Sequence, residues 1–191
     1  MPLILTLLHL LTMTKSNQVL ILLDSDVVIH LFKADKISLL NELYPKRIRM
    51  LDFVHSELLQ NRTVRPIVEN LFLFKQVEEI IFPIALFNEF KNLKSQIDGV
   101  GERACLVYCK HYTQIIASSN TKDIIPYCTQ HSIGFLTTLD IFAVALDKGK
   151  MTNVEANILI KKITLNDESY LCCDTIETHL KNHFDKVKLL Y

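Results

Sequence analysis

Along the chain, short and nearly unbroken apolar runs alternate with longer stretches whose apolar residues recur every three or four positions. The first run is "QVLILLD", residues 18–24. A segment that is apolar on both faces and rich in Leu, Ile and Val suits a strand buried on both sides of a parallel sheet. "KISLLNELY" predicts a helix over 36–43, and "RIRMLDF" (47–53) alternates like a second strand. "HSELLQN" then opens a helix, with Ser56 available as its cap. Between 63 and 98 the pattern reads as a helix, a short strand "EEIIF" (78–82) and a helix "IALFNEFKNLKSQ". "GVGERACLVYCKHY" starts on glycines and continues as a helix to about residue 112. A strand "QIIASS" (114–119), a short helix "TKDIIPYCTQ" and a last central strand "IGFLT" (133–137) follow. Two helices near 139–148 and 152–163 flank the turn "DKGKMT", and 175–184 is helical.

Strands alternating with helices predict an α/β fold, a three-layer α/β/α sandwich around a mostly parallel central sheet. No internal repeat or low-complexity tract divides the chain. The expected organisation is an extension over 1–17, one domain over 18–165, and a helical tail over 166–191 packed on the same domain.

Composition narrows the function classes. The 191 residues are 49% hydrophobic and 22% charged with only 4 Gly and 5 Pro, which suits a chain with a sizeable core rather than a linker-rich one. The 21 basic and 21 acidic residues cancel, so polyanion binding must come from local patches and not from an overall field. Five cysteines, an odd number with Cys172 and Cys173 adjacent, argue against a disulfide framework and for a reducing, cytoplasmic setting. Cys105 with Cys109, and His179 with His183, have a four-residue helical spacing that suits a metal. No further ligands sit at finger spacing, so these read first as core residues. "MPLILTLLHLLT" resembles the apolar part of a signal peptide but has no basic lead and no small-residue cleavage site, and it is too short to span a bilayer. Translation starting at Met13, or a loosely packed extension, accounts for it better than export.

Against this scaffold the acids fall into a pattern. Asp24 closes the first strand, Glu57 enters the helix after the second, Glu102 opens the glycine-led helix, and Asn120 and Asp123 follow "QIIASS". In open parallel sheets, ligands bind where the carboxyl ends of strands and the starts of helices converge. Each acid also has a local alternative as a cap or first-turn charge, favourable by a few tenths to about 1 kcal/mol. That alternative is weakest for Asp24, which follows directly on an apolar strand. Converging carboxylates either raise one another's pKa or require a divalent cation. A hard cation such as Mg²⁺ prefers oxygen ligands and retains several waters.

"LILLDSDVVIHLF", "VHSELL", "GVGERACLVYC", "IIASSNTKDI" and "GFLTTLDIFAVALDKGKMTNVEANILI", in this order and spacing over most of 18–162, resemble the PIN-domain family of metal-dependent ribonucleases. The resemblance implies an acidic pocket holding one or two Mg²⁺ or Mn²⁺ ions and hydrolysing RNA through a metal-activated water. Carried over by position, Asp24 is the ligand at the end of strand one, and Glu57 and Glu102 are the second and third acids. The segment bearing Asn120 and Asp123 matches the fourth. Many relatives have Asp where this chain has Asn120, which can ligate through its carbonyl oxygen but brings no charge. Ser119, Asp26 and Asp140 are candidate outer groups. Asp26 serves equally as a helix-start residue, and Asp140 as a first-turn acid after Thr137 or Thr138. Small proteins resembling this family often act as the toxin of a toxin–antitoxin pair, which implies an antitoxin protein as partner. Homodimerisation through exposed apolar helices is a further expectation.

Lys33, Lys36, Lys46, Arg47, Arg49, Arg62 and Arg65 form the densest basic region and are candidates to grip phosphates. A solvated face explains such a run equally. Two rivals stay open. One is a haloacid-dehalogenase-type phosphatase with Asp24 as nucleophile and Asp26 as acid–base partner, although "TLDIF" lacks the late acidic pair that mechanism needs. The other is an inactive nuclease-like module that binds RNA or protein.

Overall fold

The computed structural model describes residues 18–165 and 171–187. The described residues form five short strands: β1 (Ile21–Leu23), β2 (Ile48–Leu51), β3 (Glu78–Ile80), β4 (Ile115–Ala117) and β5 (Phe135–Leu136). They form one sheet in the order β3-β2-β1-β4-β5, and every pairing is parallel. Ile21 sits opposite both Ile48 and Ile115, so β1 is the central strand, and its three residues are all buried. Helices cover both faces, so the three-layer α/β/α sandwich is observed, with a sheet that is wholly and not merely mostly parallel.

The helices are α1 (Ser25–Lys33), α2 (Leu39–Leu43), α3 (Asp52–Gln60), α4 (Arg65–Leu73) and α5 (Phe87–Asn92). They continue with α6 (Val100–Tyr112), α7 (Thr121–His131), α8 (Thr138–Asp147), α9 (Asn153–Thr164) and α10 (Ile176–Val187). Most element ends shift by a few residues from the sequence expectation, and two helices differ more. A nine-residue helix, α1, begins immediately after Asp24, where the sequence offers a helix start at Asp26 but no helix of stated length. Its Val27, Val28, His30 and Leu31 are buried and Ile29 and Phe32 pack on the core, while Asp26, His30 and Lys33 recur at helical spacing along one face. Helix α3 starts at Asp52, five residues earlier than a Ser56 cap requires. The Asp52 carboxylate accepts hydrogen bonds from the Phe53 and Phe82 amides, at 3.0 and 3.1 Å, and so takes over the start. Ser56 lies inside the helix.

Helix α10 packs against α8 and α9, placing the described part of the tail on the same domain. Among the described residues no helix is long and apolar enough to cross a membrane. The expectations for residues 1–17 lie outside the described residues.

The strand order fixes where a ligand can sit. From β1 the chain moves outward to β2 and β3, then crosses back to place β4 on the other side of β1. The loops after β1 and β4 therefore leave in opposite directions and open a crevice at their carboxyl ends.

Candidate active site

The crevice is lined by acids, each held by a neutral donor. The Asp24 amide donates to the Ala117 carbonyl at 2.9 Å, one residue beyond β1, so its backbone is locked to β4. Its carboxylate accepts from the Ser25 amide at 2.9 Å at the start of α1 and is 5% exposed. Asp26, in the first turn of α1, accepts from the Ser119 amide at 2.7 Å and from Ser118 Oγ at 3.4 Å. It thereby clips the β1 edge to the β4 edge. Glu57, in the second turn of α3, accepts from Ser25 Oγ at 2.9 Å.

Helix α6 brings the third acid. Gly101 lets α6 approach α3: a Cβ there would lie 2.9 Å from Val54 Cγ2, 3.1 Å from Glu57 Oε2 and 3.5 Å from Asp24 Oδ1. One point beside Gly101 thus has a carboxylate oxygen of Glu57 and one of Asp24 on either hand. Glu102, the next residue, is 3% exposed and accepts from Ser118 Oγ at 3.3 Å and from Asn120 Nδ2 at 3.4 Å. The same Asn120 amide donates to Asp123 Oδ2 at 2.8 Å.

Burial and mutual repulsion show in the protonation equilibria. Burial, then the charges of Asp26 and Glu102, hold the Asp24 carboxyl well above the usual carboxylate range. Burial raises Asp26 to about 6 against the opposing hydrogen bonds from Ser119 and Val27. Burial, with the charges of Asp26 and Asp123, raises Glu102 to about 7. Among the described residues no Lys, Arg or His forms an ion pair with Asp24, Asp26, Glu57 or Glu102. No three of these acids bring oxygens all within 4.8 Å of one another. Oxygen donors without a described cationic partner are the donor chemistry of a hard divalent ion, which keeps several waters between itself and part of its ligand set.

One crevice thus gathers Asp24, Asp26, Glu57, Glu102, Ser118, Ser119, Asn120 and Asp123. Asp140 faces elsewhere. One oxygen accepts from the Thr137 amide and hydroxyl at 2.7 and 2.8 Å in a capping box, and the other lies 2.7 Å from His179 Nε2. Ser119 does reach the β5–α8 turn, with its hydroxyl 2.9 Å from Thr138 Oγ1. Structural partners account for four of the seven residues in the basic run. Arg47 is buried and donates to the Val19 carbonyl, lining a cavity of about 600 Å³ at the amino ends of the strands. Lys36, Arg49 and Arg65 pair with Glu155, Glu78 and Glu69. Cys105 and Cys109 are buried core residues, as their first reading had it, and the side chain of His183 lies outside the described ones.

Ser25 and Gly101 were not singled out by the sequence. A residue flanked by Asp24 and Asp26 is a signal for the first. The close approach that requires the second appears only once α3 and α6 are packed. No family model, no curated protein and no solved structure matches this chain.

Proposed function

We propose that this protein is a divalent-metal-dependent ribonuclease that hydrolyses RNA phosphodiester bonds in the crevice at the carboxyl ends of β1 and β4. The observation that carries the reading is the gathering of Asp24, Glu57 and Glu102 around the Gly101 approach with neutral donors and no described cationic partner. Asp24, Glu57 and Glu102 would hold Mg²⁺ or Mn²⁺, with Asn120 and Asp123 at the rim. Such an ion, when bound, supplies a more acidic water and neutralises charge on phosphoryl oxygens. Asp26 acts by position: its contacts to Ser118 and Ser119 fix the β4 edge that faces Glu102. A concavity of about 710 Å³ opens beside Asn120, lined by Thr121, Lys122, Ile125 and Pro126, and offers one cation and apolar surface to a single-stranded substrate.

One observation favours a second reading, an inactive module binding RNA or a partner protein. The Asn120 amide nitrogen, rather than its oxygen, faces Glu102 and Asp123. A phosphatase built on Asp24 and Asp26 is less well supported, because Asp26 is engaged by the Ser119 amide within a helical turn.

Purified protein incubated with RNA and Mn²⁺, with and without Asp24→Asn, separates these readings. Metal-dependent cleavage lost in the variant supports the nuclease. Binding without cleavage under any divalent metal supports the module, and turnover of small phosphomonoesters supports the phosphatase. A toxin role would add a small partner protein whose addition blocks the cleavage.

A further inference from the structure

A second cluster of ligand-bearing side chains lies where the tail meets α8, and its chemistry differs from that of the acidic crevice. We propose that Cys172, Cys173 and His179 bind one thiophilic divalent cation of the Zn²⁺ type through two thiolates and one imidazole. Each residue offers a ligand atom, and these atoms lie within 4.8 Å of one another. Cys172 Sγ is 3.9 Å from His179 Nδ1. Tetrahedral Zn²⁺, with Zn–S about 2.3 Å and Zn–N about 2.0 Å, sets neighbouring ligand atoms roughly 3.5 Å apart, so small side-chain rotations close the site.

The imidazole is already oriented as a metal-bound histidine is. His179 is 1% exposed and its Nε2 lies 2.7 Å from Asp140 Oδ1. Asp140 is itself fixed by the Thr137 amide and hydroxyl. A carboxylate on Nε2 keeps the proton there and turns the Nδ1 lone pair toward Cys172, the arrangement by which a second carboxylate aligns an imidazole on a metal. A core thiol beside a core imidazole is the plainer explanation, but the exposures differ from that case. Cys105 and Cys109, which are core residues, are fully buried, whereas Cys172 and Cys173 are only half-buried and open a path for an ion. Two thiolates and an imidazole select a softer ion than the oxygen donors of the crevice, so Mg²⁺ or Mn²⁺ and Zn²⁺ would partition to different places.

Binding forms two S–metal bonds and one N–metal bond as two thiol protons pass to solvent, with no change in oxidation state. A fourth position is left for water or a further ligand. The ion would staple the start of the tail to α10 and, through Asp140, to α8.

The test does not depend on the ribonuclease reading. Co²⁺ is added to the reduced full chain, to Asp24→Asn and to the double variant Cys172→Ser/Cys173→Ser. The expected result is a thiolate-to-cobalt charge-transfer band of 1:1 stoichiometry in the first two proteins and its loss in the third, with Zn²⁺ displacing the band. Zn²⁺ affinity should fall at least 100-fold in the double variant, whose folding is checked by its urea midpoint. X-ray absorption at the zinc edge of the wild-type protein, which requires no variant, should count two sulfur neighbours. A band that is absent, or that survives the double substitution, overturns the proposal, as does a zinc shell of nitrogen and oxygen alone.

Discussion

Replacing Glu102 by Gln in the metal-free protein isolates the electrostatic strain of the crevice. Burial and the charges of Asp26 and Asp123 raise this carboxyl from 4.5 to about 7. An acid whose pKa is higher folded than unfolded binds more protons in the folded state, so its contribution to stability falls as pH rises between the two values. Above about pH 7 the full penalty is present, and at 1.36 kcal/mol per pH unit it amounts to about 3 kcal/mol. Two losses oppose the relief. Glu102 accepts from Ser118 and Asn120 at 3.3 and 3.4 Å, long contacts of which the Gln carbonyl can keep one, so about 1 kcal/mol is lost. The negative charge in the first turn of α6 contributes a further ~0.5 kcal/mol. The variant should therefore be more stable than wild type by about 1–2 kcal/mol at pH 8. At pH 5 the folded carboxyl is already protonated, and the same substitution should be neutral or cost up to about 1 kcal/mol. Urea unfolding in EDTA at both pH values reads this out, and with an m-value near 2 kcal/mol/M the midpoint at pH 8 should rise by roughly 0.5–1 M. A variant destabilised at pH 8 as much as at pH 5 would refute the argument, because Glu102 would then be a structural acceptor and not a strained charge.

Mn²⁺ at about 100 times its Kd should stabilise the wild-type protein by about 2.7 kcal/mol, and Asp24→Asn should abolish that gain without unfolding the metal-free chain; thermal melts with and without Mn²⁺ check both. Gly101→Ala gains about 1 kcal/mol of helix propensity but sets a methyl 2.9 Å from the stiff Val54 side chain, so it should lower stability by about 1 kcal/mol net. It should also weaken Mn²⁺ binding measured by calorimetry, because the same methyl lies 3.1 Å from Glu57 Oε2. Unchanged affinity there would remove Glu57 from the ligand set. Asp140→Asn breaks the capping box and the His179 contact, and should cost about 2–3 kcal/mol and expose the tail to limited proteolysis before the sheet unfolds.

The chain announces its sheet more plainly than its helix starts. β1 and β4 are fully buried apolar runs, and β2 is apolar and buried except at Arg49, a pattern with few other uses in a chain of this length. α1 carries Asp26, His30 and Lys33 at helical spacing, but the apolar Val27, Val28, Ile29, Leu31 and Phe32 around His30 read as a continuation of the apolar run before Asp24. α3 was misplaced because Asp52 takes its start from a position that reads as the end of a strand. Asp24 was legible because it follows directly on an apolar strand, and α1, whose start it caps, gives it a local use beside the crevice. What one dimension did not carry was the reciprocal packing, Gly101 against Val54 and Ser25 under Glu57, since both partners are ordinary residues until α3 and α6 meet. The grouping of Cys172, Cys173 and His179 was likewise obscured, because the four-residue spacing drew His179 toward His183 and away from the turn that precedes α10.

The donors around the crevice fix its carboxylates without supplying a counter-charge. Ser25, Ser118, Ser119 and Asn120 are neutral, and between them they hold Asp24, Asp26, Glu57 and Glu102 by backbone amides, hydroxyls and one carboxamide. A lysine at any of those positions would fix the geometry equally well but quench the negative potential. Neutral donors fix position and leave the charge uncompensated, which is the requirement for admitting a small cation. The β4 edge that carries three of these donors is held in turn from the far side of the sheet. The Ser118 amide donates to the Leu136 carbonyl at 2.9 Å, and the Thr138 amide donates to Ser119 Oγ at 3.0 Å. Thr138 Oγ1 lies 3.1 Å from His30 Nδ1, which returns the contact to α1 and so to Asp26. A strand of two residues and the turn after it therefore close a polar loop around the carboxylates without contributing a charge to them.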